Sequence, residues 1–429
     1  PDISPEVAYL KHLQLSLDYF LNESPQALEK LEEDEEELIT LIQQNATDPI
    51  RNFYLAEIKL RSSFTHLKSG NELSAVWNLR QAFRLIEKNT QQHPGFLLNN
   101  KPLGLLHVLL GAVPDQHQWI IGLLGMEGDV DQGIVELNKV AESDNMLQLE
   151  AELMMAIIDS YLLNNTEEGA SAMWKIQKSH PHSPLINHLL VGVLLKNAQA
   201  QKAADILMQN PADDNPLYYY QKGNVHLQLG NYKLSEKSFL TFLTQYEGNN
   251  YIKDTFYKLY LAAWLQNEDS IAQKYREAGL KAGITRTEAD KHAAKMLNSQ
   301  HAFHKKLMKV RLFTDGGSYD QAETILKNNN ISDFSRPEDQ LEFLYRKARL
   351  KHKTDQHEQA ITLYKEVIRR QKGNQYFAPN SCLQLGYIFL GRSDQEEARK
   401  YFEKALSYKH HEYENSIDNK AKAALKSLR

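Results

Sequence analysis

Residues Ser381–Leu406, SCLQLGYIFLGRSDQEEARKYFEKAL, contain the pattern that the rest of the chain follows. They predict two short helices joined by a polar turn at Arg392–Asp394. The small residues Gly386 and Ala398 lie where such helices would cross, and Phe402 would fill the space beside them. Because a small residue on each helix allows close approach, this stretch predicts a tightly packed helical hairpin.

The same hairpin pattern recurs along the chain. Small residues define further predicted hairpins, which centre on Ala75, Ala170, Ala204 (facing Gly192), Gly223, Ala272, Ala322 and Ala348. Ala170 and Ala204 are 34 residues apart. Gly223 and Phe239 repeat the glycine–aromatic pairing of Ser381–Leu406. This spacing and these residue types resemble the tetratricopeptide repeat, whose period is about 34 residues. The resemblance implies an all-α fold, a right-handed α-solenoid of tetratricopeptide-like helix pairs.

The predicted array has two parts within one continuous solenoid. Residues 1–180 hold N-terminal helical repeats, including a Gly/Pro-punctuated segment at 101–141, and residues 181–429 hold the tetratricopeptide-repeat array. Irregular helices near 285–318 interrupt the second part and mark a candidate hinge or boundary. A Lys-rich helix at 413–429 predicts the capping helix that a solenoid needs to cover the end of its core.

Composition is typical of a helical globular protein. Hydrophobic residues make up 42% and charged residues 24%, and the formal net charge of −5 is too mild to indicate a nucleic-acid partner. Asp and Glu outnumber Lys and Arg by 23 to 11 in residues 1–150, whereas Lys and Arg lead by 39 to 32 in the rest. We interpret this gradient as solvated helical faces rather than as orientation beside a charged partner. The acidic run Glu32–Glu37 likewise indicates an exposed helix face rather than a divalent-ion site.

No window of the sequence holds the roughly 18 apolar residues that a membrane-spanning helix needs. The nearest approach, Leu103–Val113, ends at Pro114-Asp115. The chain begins with Pro1-Asp2 rather than Met, which predicts that a preceding segment has been removed. We therefore expect a soluble chain, and we favour an exported, periplasmic location over a cytoplasmic one.

The sequence offers no motif for catalysis or for holding a cofactor. Gly-x-Gly-x-x-Gly, P-loop, Gly-x-Ser-x-Gly and His-Glu-x-x-His patterns are all missing. His301 and His304 have a spacing that can hold a metal ion, but the lysines around them favour a surface helix. Cys382, the only cysteine, excludes an internal disulfide and is interpreted as a small buried core residue. We therefore predict no catalytic residue, no metal and no cofactor.

Two basic stripes could in principle contact nucleic acid. They comprise Lys305, Lys306, Lys309 and Arg311 in one case and Arg369, Arg370 and Lys372 in the other. Neither has aromatic residues interleaved with its cations, so the sequence disfavours nucleic acid as a partner.

Function is therefore expected on the concave face of the solenoid. In a tetratricopeptide array the first helix of each pair lines this face with fixed repeat positions. These positions predict a partner-binding set, Tyr220, Asn224, Gln228, Tyr345, Arg349, Lys353 and Tyr387. Tyrosine supplies contact area at low entropic cost, and Arg with Lys can bind a carboxylate. The set is similar to the carboxylate clamp of chaperone-binding repeats but incomplete, and a generically polar inner face is the alternative.

Residues Lys101–Ala141, KPLGLLHVLLGAVPDQHQWIIGLLGMEGDVDQGIVELNKVA, depart from the plain repeat. Helix-breaking and small residues punctuate them, at Gly104, Gly111, Pro114, Gly125, Gly128 and Gly133. The segment resembles the signature segment of a eukaryotic tetratricopeptide-repeat family, the family thirty-nine proteins together with the fungal inclusion-body-clearance protein. The resemblance implies a helical adaptor without a catalytic motif, linked to lipid homeostasis or to clearance of aggregates.

The apolar run Leu103–Ile121 also allows surface association with a membrane. No Lys or Arg occurs between Lys101 and Lys139, so the usual attraction to anionic lipid is missing, and core packing is the favoured interpretation. We predict a non-enzymatic scaffold or adaptor that binds a protein or peptide segment on its concave face. The alternative is a lipid- or membrane-associated regulatory protein, and neither specifies an oligomeric state.

Overall fold

The structure, a computed structural model, describes residues 4–113, 122, 124–163, 165–211, 215–299 and 304–428, with only the backbone at Ser427. This part of the chain is helical and contains no β-strand. The α-helices are α1 Pro5–Asn22, α2 Pro25–Asn45, α3 Ile50–Ser69, α4 Glu72–Gln92, α5 Asn100–Gly111, α6 Val130–Ala141, α7 Gln148–Ile158, α8 Thr166–Ser179, α9 Pro184–Lys196, α10 Ala200–Gln209, α11 Pro216–Gln228, α12 Tyr232–Gln245, α13 Ile252–Leu265, α14 Asp269–Lys281, α15 Glu288–Asn298, α16 Lys305–Gly316, α17 Tyr319–Lys327, α18 Pro337–Lys353, α19 His357–Arg370, α20 Phe377–Gly391, α21 Gln395–Leu406 and α22 Glu414–Ser427. A π-helical turn, Asp159–Leu163, extends α7, and short 3₁₀ turns occupy Leu97–Asn99 and Ile331–Asp333.

Local sequence signals explain where several helices begin and end. Three helices start with a serine followed by a proline, at Ser4, Ser24 and Ser183, and each hydroxyl accepts a hydrogen bond from the backbone amide three residues on. Such caps satisfy amides that have no partner inside the helix, and proline fits the first helical turn. Gly70 and Gly317 end α3 and α16 in the left-handed region, which glycine adopts without strain.

Consecutive helices pack as antiparallel hairpins that stack into an α-solenoid, which confirms the predicted fold class. The hairpins α11–α12 and α20–α21 share one contact. A Cβ at Gly223 would lie 2.5 Å from the Phe239 ring, and the ring of Phe402 blocks Gly386 in the same way. Glycine therefore lets an aromatic ring fill the space between the two helices. The predicted role of Gly386 and Phe402 in close packing is confirmed.

Small residues 34 positions apart lie at the helix crossings, but each is one residue earlier in the chain than the sequence suggested. We expected Ala170 and Ala204 at the helix crossings, whereas the structure places Gly169 and Ala203 there. A Cβ at Gly169 would meet the backbone and side chain of Ser160, and Ala203 is fully buried. In both hairpins another small residue directly precedes the expected one, so the sequence pattern leaves the crossing position open by one residue.

Gly192 does not face the second helix of its own hairpin, contrary to the expectation. A Cβ there would lie 3.1 Å from the hydroxyl of Tyr161 in the preceding hairpin, whereas Val191 is fully buried. In the corrected register Val191 is the eighth residue of its repeat. Lys196 then occupies the thirteenth position, which points into the solenoid.

The described residues of the segment near 285–318 include two regular helices, α15 and α16. Helix α15 packs against α13 and α14 as a third layer, and α16 pairs with α17 through the turn at Gly317. A hinge or domain boundary near 285–318, and a boundary near residue 180, stay predictions. Helices α8 and α9, on either side of residue 180, pack directly on each other.

The array coils tightly enough for distant repeats to touch. The amide of Asn250 donates to Glu23 Oε2 at 2.7 Å, and Arg286 Nη1 donates to the backbone carbonyl of Lys68 at 2.8 Å. At the other end, Lys426 of α22 lies 3.3 Å from the carboxylates of both Asp129 and Asp131. The C-terminal helix therefore reaches the first third of the chain.

Helix α22 also confirms the predicted cap. It packs on α20 and α21, and its apolar face buries Ile417, Ala421 and Ala424. The same helix contacts the Asp159–Leu163 turn. It therefore covers the end of the last hairpin and joins it to a hairpin more than half the chain away.

Glycines account for the close contact of α5 and α6 in the segment 101–141. A Cβ at Gly104 would lie 2.8 Å from the carbonyl oxygen of Gly133, and one at Gly133 would lie 2.5 Å from that of Gly104. Packing alone thus explains two of the punctuating glycines. Pro114 and Trp119, which we expected to break and fill this region, lie outside the described residues.

A buried ionic network joins the N-terminal helices. The ammonium of Lys101 on α5 lies 2.6 Å from Glu57 on α3 and 2.6 Å from Glu150 on α7, and Arg61 pairs with Glu57 at 3.2 Å. Lys101 and Glu57 are 3% and 1% exposed. Burial lowers the pKa of Lys101, but the carboxylates of Glu57 and Glu150 outweigh it and raise the pKa, so this lysine stays charged.

We predict that Gly386→Ala destabilises the protein by about 1–3 kcal/mol, because the added methyl collides with Phe402 and overpacks the hairpin. Thermal unfolding followed by circular dichroism measures the loss. Gly391→Ala on the same helix is the control, since nothing lies near its Cβ position. Equal melting temperatures for the two variants would contradict the close-packing argument.

Lys101→Met is expected to lower the free energy of unfolding by about 3–5 kcal/mol. After the substitution, Arg61 is the one cation of the network left for the carboxylates of Glu57 and Glu150. Urea unfolding provides the measurement. Lys426→Met removes an exposed pair instead and should change stability by about 1 kcal/mol or less. If Lys101→Met lowers the free energy of unfolding by no more than Lys426→Met does, the buried ionic network does not stabilise the N-terminal helices.

Candidate functional site

Three of the predicted concave-face residues, all on α11, are engaged inside the protein. The hydroxyl of Tyr220 donates to Asp254 Oδ2 at 2.6 Å, and Asn224 Nδ2 donates to the carbonyl of Tyr220 at 2.8 Å. Gln228 packs against Gly316, where a Cβ would lie 2.9 Å from it. The next turn of the array thus covers much of this face, and a partner-binding role for these residues stays a prediction.

The two predicted tyrosines of the C-terminal hairpins also contribute to packing. Tyr345 is 2% exposed, with its ring 5.6 Å from Tyr376 and 5.0 Å from Phe377. The expectation that Tyr345 offers an exposed contact surface is therefore corrected, because α20 packs over it. Tyr387 is half-buried with its ring edge-on to Phe402 at 5.3 Å, and burial raises its pKa to about 12.

Arg349 and Lys353 keep access to the inner surface. They lie one turn apart at the C-terminal end of α18, where Lys353 is exposed and Arg349 half-buried. Arg349 Nη1 donates to Gln384 Oε1 at 2.7 Å, which fixes the guanidinium against α20. These two are the members of the predicted set that the structure leaves able to meet a ligand charge.

Two further lysines join them from distant helices. The Asp159–Leu163 turn contacts both α9, which ends at Lys196, and α22, and the charge of Lys196 acts on the pKa of Lys420. The ammonium of Lys196 lies 5.5 Å from the centre of the Tyr161 ring. We call Lys196, Arg349, Lys353 and Lys420 the inner cationic cluster.

The charges of the inner cationic cluster repel one another. Burial, together with the charges of Lys196 and Arg349, lowers the pKa of Lys420 to about 8. Burial and then the charge of Arg349 lower the pKa of Lys353, and burial lowers that of Lys196. Such shifts express the free-energy cost of holding like charges together away from bulk water.

Carboxylates near the cluster do not compensate it. Asp315, Glu167 and Asp355 raise the pKa of Lys353 by their charges. Over the described part of the chain, however, none forms an ion pair with a cluster member, and Asp315 is paired with Arg311 at 3.7 Å. The cluster is thus a site of net positive charge suited to an anionic ligand group.

The sequence contained a signal for one of the two lysines that it missed. Lys196 and Lys353 both occupy the thirteenth, inward-pointing position of their repeats. When Gly192 is taken as the eighth position, Lys196 falls at the twelfth, a position from which the predicted set takes no residue. Lys420 lies on the capping helix and has no repeat position. Only the coiling of the whole array brings it to the inner surface.

Several cations of the two basic stripes have partners within the protein. Lys305 pairs with Asp269 at 3.1 Å, Arg311 donates to the Tyr413 hydroxyl at 3.3 Å, and Arg369 pairs with Glu366 at 2.6 Å. These contacts explain the stripes as structural, whereas the exclusion of nucleic acid as a partner stays a prediction.

The other candidate residues are placed as follows. Cys382 is fully buried, as predicted for a core residue, and burial raises its pKa to about 12. The His304 ring packs 4.8 Å from Phe334, while His301 lies outside the described residues. In the acidic run, Glu35 pairs with Lys59 at 3.2 Å and so joins α2 to α3. Within the described residues no group of three potential metal ligands occurs.

None of the described helices combines the length and apolarity required to cross a bilayer.

The structure is an α-solenoid with a positively charged inner site. Comparison of the sequence with known families identifies the repeats: the tetratricopeptide repeat matches residues 217–247, 341–374 and 379–409. The chain therefore contains tetratricopeptide repeats, and these three cover the hairpins α11–α12, α18–α19 and α20–α21. No curated protein matches the sequence.

Several solved structures are similar in fold. A tetratricopeptide repeat protein from Parabacteroides merdae is 16% identical over 64% of this chain and 99% of its own, with a TM-score of 0.26. Yeast Tom70 is 12% identical over 98% of this chain and 96% of its own, with a TM-score of 0.26. Human IFIT1, as a dimer with PPP-AAAA, is 14% identical over 93% and 88%, with a TM-score of 0.36. At these identities and TM-scores none bears on what this chain binds.

We predict that Lys420→Met raises stability at pH 7 by about 1 kcal/mol, a figure discounted for partial exposure. Below pH 8 the folded protein holds a proton on Lys420 although its pKa is lowered from 10.5. The charged side chain therefore reduces stability below pH 8, and this cost fades as the pH rises toward 10.5.

Melting temperatures at pH 7 and 9.5 test this prediction, with a larger gain expected at pH 7. Lys426→Met on the same helix is the control, because Lys426 is ion-paired and its loss should give no gain. The same gain at both pH values would rule out charge repulsion as the cause.

Proposed function

We propose that this protein is a non-enzymatic scaffold that binds an extended, acidic segment of a partner protein along the inner surface of its solenoid. The observation that supports this most is the inner cationic cluster. Two of its members, Lys196 and Lys353, are exposed, and within the described residues none of the four has an ion-pair partner. Burial and neighbouring cations lower the pKa values of Lys353 and Lys420, so their charges reduce stability, and a role in binding would explain why the charges are kept.

Tetratricopeptide repeats supply the geometry for such a role. Stacked hairpins present the ends of their first helices, and so Lys196 and Lys353, along one continuous surface. Arg349 adds a planar guanidinium whose N–H groups suit a carboxylate or phosphate. The half-buried ring of Tyr387 adds apolar contact area on α20.

The resemblance of residues 101–141 to the family thirty-nine proteins and the inclusion-body-clearance protein remains a separate proposal. The mutual contact of Gly104 and Gly133 gives those glycines a packing role in α5 and α6. A lipid- or membrane-associated function therefore rests on the resemblance, and the scaffold function on the charges of the inner surface.

Binding of a labelled acidic peptide tests the scaffold function. A fluorescein-labelled deca-glutamate peptide is titrated with the full chain, and fluorescence anisotropy gives Kd at two salt concentrations. The double variant Arg349→Gln/Lys353→Gln is expected to weaken binding at least about tenfold, equivalent to about 1.4 kcal/mol. Binding should also weaken at higher salt, because the contact is between charges.

The matched control removes the same charge elsewhere. Arg369→Gln/Arg370→Gln also lowers the net charge by two, but at side chains that pair with Glu366 outside the cluster. It should leave Kd within about twofold. An equal loss in both variants would indicate a general charge effect, and no binding by the unmodified chain would contradict the proposed function.

A further inference from the structure

We propose that the outer face of α4 binds the same face of a second copy of this chain, so that two antiparallel α4 helices join a symmetric dimer. Two observations support this inference: an exposed apolar stripe on α4, and opposite charges on either side of that stripe. The surface is separate from the inner cationic cluster, so the inference does not depend on the scaffold function.

The apolar stripe consists of Leu73, Val76 and Trp77. Their spacing of three and four residues places them side by side on one face of the helix. Leu73 is 87% and Trp77 58% exposed, and Val76 is exposed as well. Among the described helices, α4 alone has three large apolar side chains that are exposed. Exposed apolar side chains grouped in this way mark an interaction surface.

The opposite face of α4 already holds the helix in the fold. Ala82, Phe83 and Ile86 lie in the core that α4 shares with α1, α2 and α3. The hydroxyl of Ser63 on α3 also donates to the backbone carbonyl of Ala75 at 2.8 Å. A helix that packs by one face normally presents polar residues on the other. The apolar stripe therefore has no role in the packing of α4 and is available to a partner.

Two copies of the stripe complement each other when the helices run antiparallel. If Trp77 of one copy packs on the partner's Leu73, the midpoint of the contact is residue 75. Val76 then lies beside its own copy, close to the symmetry axis. A two-fold interface repeats each contact, so the Trp77–Leu73 contact forms twice. Each copy thus contributes all three apolar side chains of the stripe.

The charged residues beside the stripe fit the same pairing. Glu72 lies opposite the partner's Arg80, because the midpoint of this pair is residue 76, one residue from that of the apolar contact. Glu72 is exposed and forms no ion pair among the described residues. Arg80 Nε donates to the carbonyl of Leu124 at 2.8 Å, which engages one of the five N–H donors of the guanidinium.

These charges select the second copy and its orientation. A parallel pairing would place Glu72 beside its own copy and Arg80 beside its own copy, and like charges placed together disfavour association. An anionic lipid surface would attract Arg80 but repel Glu72, whereas an antiparallel second copy pairs both. Because three apolar side chains from each copy make a small interface, we expect a reversible dimer with a micromolar Kd.

Sedimentation of the full chain over a range of protein concentrations measures the dimer Kd. We expect a monomer–dimer equilibrium that Leu73→Ser/Trp77→Ser weakens at least about tenfold. This variant should keep its helix content by circular dichroism, because both side chains are exposed. Met208→Ser/Leu234→Ser is the matched control, since it also removes two exposed apolar side chains, on α10 and α12, and should leave Kd within about twofold.

A mixing experiment tests the pairing of Glu72 with Arg80. Glu72→Arg or Arg80→Glu alone places like charges opposite each other, so each variant should dimerise at least about tenfold more weakly. In an equimolar mixture of the two variants, both contacts of the mixed dimer again join opposite charges, and Kd should return to within about threefold of the unmodified chain. Recovery on mixing requires two chains to meet at these positions and cannot arise from a change in the fold of either variant.

Four outcomes would overturn the inference. They are a monomer at every concentration, a dimer as tight in Leu73→Ser/Trp77→Ser as in the unmodified chain, no recovery on mixing, and a monomer that sediments with phosphatidylglycerol vesicles through Leu73 and Trp77. The last result would assign the stripe to lipid. Binding of the deca-glutamate peptide is a separate measurement, so the dimer and the scaffold function succeed or fail independently.

Discussion

The contact between a small residue and a large ring underlies the shape of this protein. Gly223 against Phe239 and Gly386 against Phe402 set how closely two helices of a hairpin approach. Each hairpin still leaves an apolar flank that only its neighbour can cover, so the hairpins must stack. Small rotations between stacked hairpins add up along the chain until α22 meets the Asp159–Leu163 turn. The inner cationic cluster is a product of that accumulated coiling.

Two groups of charged side chains, one buried and one partly exposed, show opposite balances. Around Lys101, two cations and two carboxylates lie within ion-pair distance, and their attraction outweighs the cost of burial. Around Lys420, the charges of Lys196 and Arg349 lower its pKa, and no ion pair joins Lys420 to a carboxylate among the described residues. The first group joins three N-terminal helices, α3, α5 and α7, and is explained by stability. The second reduces stability, and that cost is why we assign it to binding rather than to the fold.

The sequence predicted what depends on local contacts and missed what depends on the coiling. Gly386 and Phe402 lie 16 residues apart in one hairpin, so their pairing could be inferred from spacing alone. Gly169 next to Ala170, and Ala203 next to Ala204, are pairs of small residues, so the spacing alone does not decide which member lies at the helix crossing. The burial of Tyr345 depends on how α20 of the next hairpin packs over it, and the position of Lys420 depends on how α22 meets the distant Asp159–Leu163 turn. Arg349 and Lys353 were found because their own repeat places them at the inner surface.

Open solenoids can gain or lose a repeat during evolution, because each unit contacts only its immediate neighbours. This chain differs, since α22 touches both the last hairpin and the turn that follows α7. Deleting or duplicating one hairpin between them would rotate α22 out of reach of that turn and separate Lys420 from Lys196. The number of repeats is therefore fixed by ring-like closure, and variation among homologues should appear in loops rather than in whole hairpins.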